Sequence, residues 1–122
     1  MRYFIQLSYN GSSYHGWQIQ PNAVTVQETI QDALSKLLNT NISITGAGRT
    51  DTGVHAFQMF AHFDVDETLD TENLTFKLNS FLPKDIAIQS IFQVNADAHT
   101  RFHAIKRSYD YKISLKKNVF LF

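Results

Sequence analysis

Ile42-Ser43-Ile44-Thr45, then Gly46-Ala47-Gly48-Arg49-Thr50-Asp51-Thr52-Gly53-Val54-His55-Ala56, sets a short apolar run against a glycine-framed loop, and a longer apolar run, Phe57 to Val65, follows it. The first run reads as a strand leading into the loop. The second is apolar on both faces, the pattern of a buried central strand. Glycines on both sides let the backbone turn sharply and take positive φ where other residues strain. Such a loop can hold Asp51 at the end of a strand and aim it into a cleft, with Arg49 two residues before it and His55 four after. A nearby guanidinium favours the ionised carboxylate, and an ionised, positioned Asp can act as a nucleophile or a general base. The same string also fits a tight turn whose Asp only accepts bonds from backbone N–H groups.

Working outward, Tyr3, Ile5, Leu7 and Tyr9 alternate with Phe4, Gln6 and Ser8, which predicts a first strand broken at Asn10-Gly11-Ser12-Ser13. Thr25-Val26-Gln27-Glu28 fits a capping box, with Val26, Ile30, Ala33, Leu34, Leu37 and Leu38 at helical spacing until Asn39 to Asn41. Thr71 is positioned to cap a second helix carrying Leu74, Leu78, Phe81 and Leu82, stopped before Pro83. Ile86 to Val94 and Ser108 to Leu115 alternate cleanly and predict two more strands. This order implies an α+β fold, a mainly antiparallel sheet with two helices on one face. Its open face is a natural platform for RNA.

A chain of 122 residues, 43% hydrophobic and 13% aromatic, suits one packed domain. With no cysteine there is no disulfide framework and no thiolate metal site. No apolar run reaches membrane-spanning length and Met1 to Gln6 is too short and polar for a signal peptide, so a soluble, cytoplasmic protein is expected. Net charge is zero, which alone argues weakly against a nucleic-acid partner. The charges are unevenly spread, however. Acids dominate from Asp64 to Asp97, whereas Arg101, Lys106, Arg107, Lys112, Lys116 and Lys117 face Asp110 alone after His99. Mixed with Phe102, Tyr109 and Tyr111, that basic stretch suits phosphate tracking and base stacking, or else an ordinary solvated strand.

The remaining candidates divide similarly. His99 and His103 have H-x-x-x-H spacing, but the segment around Asp97 is not helical in character, so no metal is expected. His55 and His62 are either base-handling groups or structural, His62 reading more as half-buried and structural. Trp17, beside Tyr14 and His15, either stacks on RNA or plugs the sheet end. Gly46-Ala47-Gly48 lacks the third glycine and following helix of a dinucleotide fingerprint, so no nicotinamide or flavin cofactor is expected.

Arg49-Thr50-Asp51-Thr52-Gly53-Val54-His55-Ala56 resembles the GRTDAGVHA signature of the tRNA pseudouridine synthase A family. Further stretches continue the resemblance in order: Tyr9-Asn10-Gly11-Ser12, Gly16-Trp17-Gln18-Ile19-Gln20-Pro21, Thr25-Val26-Gln27-Glu28, and His62-Phe63-Asp64. Leu78-Asn79 with Leu82-Pro83-Lys84-Asp85-Ile86, Arg101-Phe102-His103-Ala104 and Arg107-Ser108-Tyr109-Asp110-Tyr111 complete it. Two departures stand out: Thr52 replaces the usual alanine, and Phe57-Gln58-Met59-Phe60 stands where the family often has a G-Q pair.

The resemblance implies a cofactor-free isomerase that converts uridine to pseudouridine on the 3′ side of the tRNA anticodon stem–loop. It implies Asp51 as the catalytic aspartate, Tyr109 stacking on the flipped base, Arg49 filling the vacated space or holding Asp51 ionised, and Arg101 and Arg107 lining the RNA cleft. It also implies a homodimer, and a family chain of two similar halves of which residues 1–122 are the N-terminal, aspartate-bearing one. The apolar ending Asn118 to Phe122 agrees with a second half being absent here. Two other readings compete. Asp51-Thr52-Gly53 is also the aspartic-protease triplet, which requires an all-β chain that dimerises to pair two carboxylates. A non-catalytic, RRM-like RNA-binding domain would suit the element order but leave the Asp51 loop unexplained.

Overall fold

β1 (Arg2–Tyr9) lies inside a four-stranded antiparallel sheet of order β2-β3-β1-β4, between β3 (Ala56–Asp64) and β4 (Ile86–Val94), with β2 (Ile44–Gly46) at the far edge. The computed structural model describes residues 1–99. The predicted strand Ser108 to Leu115, with Arg101, Arg107, Tyr109, His103 and the apolar tail, lies outside them. α1 (Val26–Leu38) and α2 (Thr71–Phe81) complete the fold. None of the described helices is long and apolar enough to cross a membrane.

Alternation along β1 decides which face the helices cover. Tyr3, Ile5, Leu7 and Tyr9 join Met59, Ala61 and Phe63 of β3, Ile86, Ile88 and Ile91 of β4, and Val26, Ile30, Leu34, Leu74 and Leu78 of the helices in one core. Both helices therefore pack on the same face, as the α+β reading requires. Their presence removes the all-β chain on which the aspartic-protease reading depends.

The helix ends follow their capping chemistry. Thr25 is the N-cap of α1, its Oγ1 accepting from the Glu28 N–H at 3.4 Å, and Asn39 closes the helix in the left-handed region at φ 53°. The cap of α2 is Asp70 rather than Thr71. Its carboxylate accepts from the Asn73 N–H at 3.2 Å, and an acid at that position also suits the helix dipole. Leu82 ends α2 in extended backbone, the conformation that Pro83 imposes on its predecessor.

Helix amides fasten the two edge strands. Gln27 donates to the Ile44 carbonyl at 2.8 Å and accepts from the Ile19 N–H at 2.8 Å, while Gln31 accepts from the Ile44 N–H at 3.1 Å. On the other edge Asn79 of α2 bonds both backbone groups of Ile88, each at 2.8 Å. Beside Ile88 the pairing with β1 slips between Gln6 and Leu7, so Ser90 opposes Gln6 and Ile88 opposes Leu7. Gln89 is the extra residue, and the core-facing positions run 86, 88 and 91 instead of alternating throughout.

The face away from the helices is not open along β1. Phe4 (1% exposed), Gln6, Ser8, Phe60 and His62 (5% exposed) are all buried there, so the expectation of an open RNA platform is corrected at these positions. Phe4 lies 5.8 Å from the Phe92 ring and 6.1 Å from the His62 ring, and His99 sits edge-on to His62 at 4.8 Å. β3 is likewise buried on both faces, but only from Met59 to Phe63. Phe57 at its start is 74% exposed.

Burial, with the Arg2 and His99 charges nearby, lowers the His62 pKa to about 4 from 6.5. The unfolded chain therefore takes up a proton that the folded chain refuses, and stability should fall as pH drops from 6.5 towards 4. The full effect is up to about 3 kcal/mol. Urea unfolding of wild type and His62→Gln across this window checks it. The variant should lose less stability on acidification, and parallel curves would refute the assignment.

Candidate active site

The Asp51 loop leaves β2 at Gly46 and returns at Ala56, and segment 9–17, following from β1, lies beside it. Each tie between them has a local cause. Tyr9 is the last residue of β1 and points into the core, its ring stacked on Trp17 at 6.3 Å, so its hydroxyl emerges beneath the loop. There it bonds the Thr50 hydroxyl at 2.8 Å. Burial raises the Tyr9 phenol above its ordinary pKa, outweighing the lowering by the Thr50 hydrogen bond. Trp17 N–H donates to the Thr50 carbonyl at 3.4 Å, Gly53 N–H to the Tyr14 carbonyl at 3.1 Å, and Gly11 N–H to Nδ1 of His55 at 2.8 Å.

Segment 9–17 is fixed in its turn. Asn10 N–H donates to the Asp85 carbonyl at 2.9 Å, and the Tyr14 hydroxyl donates to the Asp85 carboxylate at 2.7 Å. Burial, this hydrogen bond and the Asp85 charge push the Tyr14 phenol well above its usual range. Gly16 has φ 80°, and a Cβ there would lie 2.2 Å from the Thr50 carbonyl oxygen. That position therefore combines a left-handed backbone with a close approach to the loop. Within the loop, Gly53 also has φ 80°, whereas a side chain at Gly48 would meet nothing within 4 Å.

Asp51 sits between the ties at Thr50 and Gly53. Its carbonyl accepts from the Val54 N–H at 3.2 Å, and the residue is exposed. Arg49 is exposed as well, and among the described residues the two form no ion pair. The backbone on both sides of Asp51 is anchored, and the residue itself faces solvent. A carboxylate so placed is accessible to a ligand and can attack a carbon centre or take a proton.

Other candidates settle into the frame. Trp17 is 1% exposed and plugs the sheet end. His62 is structural, on the buried face opposite the helices. His55 supports the loop through Nδ1. Among the described residues no three His, Asp or Glu side chains group to hold a metal ion. Tyr109, Arg101 and Arg107 lie outside the described residues. Sequence reasoning gave Tyr9, Gly11, Gly16 and Tyr14 no part in holding the Asp51 loop, although all but Tyr14 stand in the motif stretches Tyr9-Asn10-Gly11-Ser12 and Gly16 to Pro21.

This loop and sheet lie within a stretch that known proteins share. The chain belongs to the tRNA pseudouridine synthase family, whose model matches residues 6–103. It is similar to the tRNA pseudouridine synthase A of Azobacteroides pseudotrichonymphae genomovar. CFP2, at 57% identity over 119 residues, covering 98% of this chain and 48% of the relative. That of Parabacteroides distasonis is 53% identical over 120 residues, with 98% and 48% covered. In Bacteroides thetaiotaomicron the figures are 51% over 119 residues, with 98% and 44% covered. The chain thus spans about half the length of the curated relatives it matches.

Proposed function

We propose that this chain is the N-terminal half of a cytoplasmic tRNA pseudouridine synthase and that Asp51 is its catalytic residue. The observation that carries the reading is the exposed carboxylate on a loop held through backbone bonds at Thr50 and Gly53 and side-chain bonds at Thr50 and His55. The substrate is a uridine on the 3′ side of the tRNA anticodon stem–loop, and the full-length protein works as a homodimer.

The reaction is an isomerisation and needs no outside oxidant or reductant. The N1–C1′ bond of uridine breaks, the uracil turns, a C5–C1′ bond forms, and the proton leaving C5 balances the one gained at N1. Asp51 attacks C1′ or C6, or removes the proton that opens a glycal route. Reaching Asp51 requires the uridine to leave its stack, at a cost of about a few kcal/mol. Arg49 fills the vacated space or holds Asp51 ionised, Tyr109 stacks on the flipped base, and Arg101 and Arg107 line the RNA cleft. The second half supplies the other wall of the cleft, excluding water and sharpening the electrostatics around Asp51.

Pseudouridine mapping on one tRNA, with the full-length protein and the 122-residue chain side by side, tests this. The full-length protein should convert the anticodon-arm uridines. The shorter chain should bind tRNA weakly and salt-sensitively without converting it. Absence of conversion by the full-length protein would sink the assignment, and conversion by the short chain at the full-length rate would show the second half to be dispensable.

A further inference from the structure

We propose that His55 is a positioning residue for Asp51, acting as a strut whose unprotonated Nδ1 accepts the Gly11 N–H and holds the C-terminal limb of the loop. The inference rests on the reading of Asp51 as the catalytic carboxylate.

A backbone N–H can only donate, so a 2.8 Å contact from Gly11 N to Nδ1 fixes that nitrogen as an acceptor. In the neutral ring this places the proton on Nε2. Gly11 itself is shaped for the contact. A Cβ there would lie 1.9 Å from the Val54 carbonyl oxygen, so only a residue without a side chain lets this limb approach closely enough to bond. Gly11 in turn belongs to the single turn Gly11–Ser13 capped by Asn10, whose N–H is tied to Asp85. The strut therefore ends on a fixed point.

The opposite limb is held by the two bonds at Thr50, and the near limb by Gly53 N–H to Tyr14 and by His55. Asp51 and Thr52 form the apex between them. Releasing His55 leaves the Gly53 bond and the core untouched, so the protein stays folded while the apex gains freedom. Catalysis is sensitive to such freedom, because displacement by about 1 Å can cost 10²-fold in rate.

The test uses the full-length protein and the variants His55→Asn, His55→Gln and His55→Ala. Asn carries an acceptor at the place of Nδ1, whereas Gln moves it one methylene outward and Ala removes it. His55→Ala and His55→Gln should lower kcat by about 10- to 100-fold with KM for tRNA nearly unchanged, and His55→Asn should restore most of it. Hydrogen exchange at the Gly11 amide should be slow in wild type and His55→Asn and fast in the other two. Wild-type kcat in His55→Ala, or His55→Asn as slow as His55→Ala, would overturn the proposal. Asp51→Ala assayed in parallel separates the two readings. Turnover there refutes the role of Asp51, whereas an inactive Asp51→Ala beside a fully active His55→Ala refutes the strut alone.

Discussion

Asp51→Ala in the full-length protein is expected to abolish pseudouridine formation, by about 10⁴-fold or more, the scale on which loss of an essential catalytic side chain acts. The same change should leave the fold intact. Asp51 is exposed, and the bond that involves it within the loop uses its carbonyl, which alanine also has. Exposed substitutions of this kind usually move stability by less than about 0.5 kcal/mol. Asp51→Glu should fail too, because the extra methylene carries the carboxylate about 1 Å from its working position, at a cost near 10²-fold. Thermal unfolding and pseudouridine mapping on the same preparations decide the matter. Substantial turnover by a folded Asp51→Ala protein would remove the aspartate from the mechanism.

Gly16→Ala should also be damaging, by a different route. At φ 80° an alanine is strained by about 1–3 kcal/mol. Its Cβ would also press on the Thr50 carbonyl at 2.2 Å, and that atom is backbone, so no rotamer change relieves the contact. The loop must shift at the residue just before Asp51. The expected result is a lower melting temperature together with a loss in kcat of about 10²-fold. Gly48→Ala is the control, because a side chain there meets nothing within 4 Å and it should behave as wild type. Equal behaviour of the two variants would show that the close contact at Gly16 does not govern the loop.

Much of the fold was legible because burial here follows simple periods. Tyr3, Ile5, Leu7 and Tyr9 mark the helix-covered face by alternation, and Val26, Ile30 and Leu34 mark the buried stripe of α1. Where the reading went astray, a local polar group or an irregularity had overruled the pattern. Asp70 displaced Thr71 as the cap of α2, since a carboxylate was available one residue earlier. Gln89 interrupted the alternation of β4, and only the change of phase from Ile88 to Ile91 hints at it in the sequence. Burial along the second face of β1 was hidden because Gln6 and Ser8 are polar by type.

The site was legible in its chemistry and not in its supports. Asp51 stood out between glycines. The residues holding its loop are distant in sequence, and their contribution is a hydroxyl, a backbone N–H or the absence of a Cβ, none of which forms a pattern. Tyr9 looks like any strand aromatic until its hydroxyl is found at Thr50. Gln27 and Asn79 look like ordinary helix surface until each is seen bonding the backbone of an edge strand.

The interior place of β1 also has a consequence in time. This strand is made before the other three, yet its neighbours in the sheet are residues 56–64 and 86–94. At about 5–20 residues per second, synthesis from the first strand to Val94 takes roughly 5–20 s. Until residues 56–64 are made Phe4, Ile5 and Leu7 have no partner strand, and the other edge of β1 stays unpaired until residues 86–94 follow. The nascent chain therefore exposes a strand that ends up buried at nearly every position, to chaperones and to other nascent copies, before its closing partner exists.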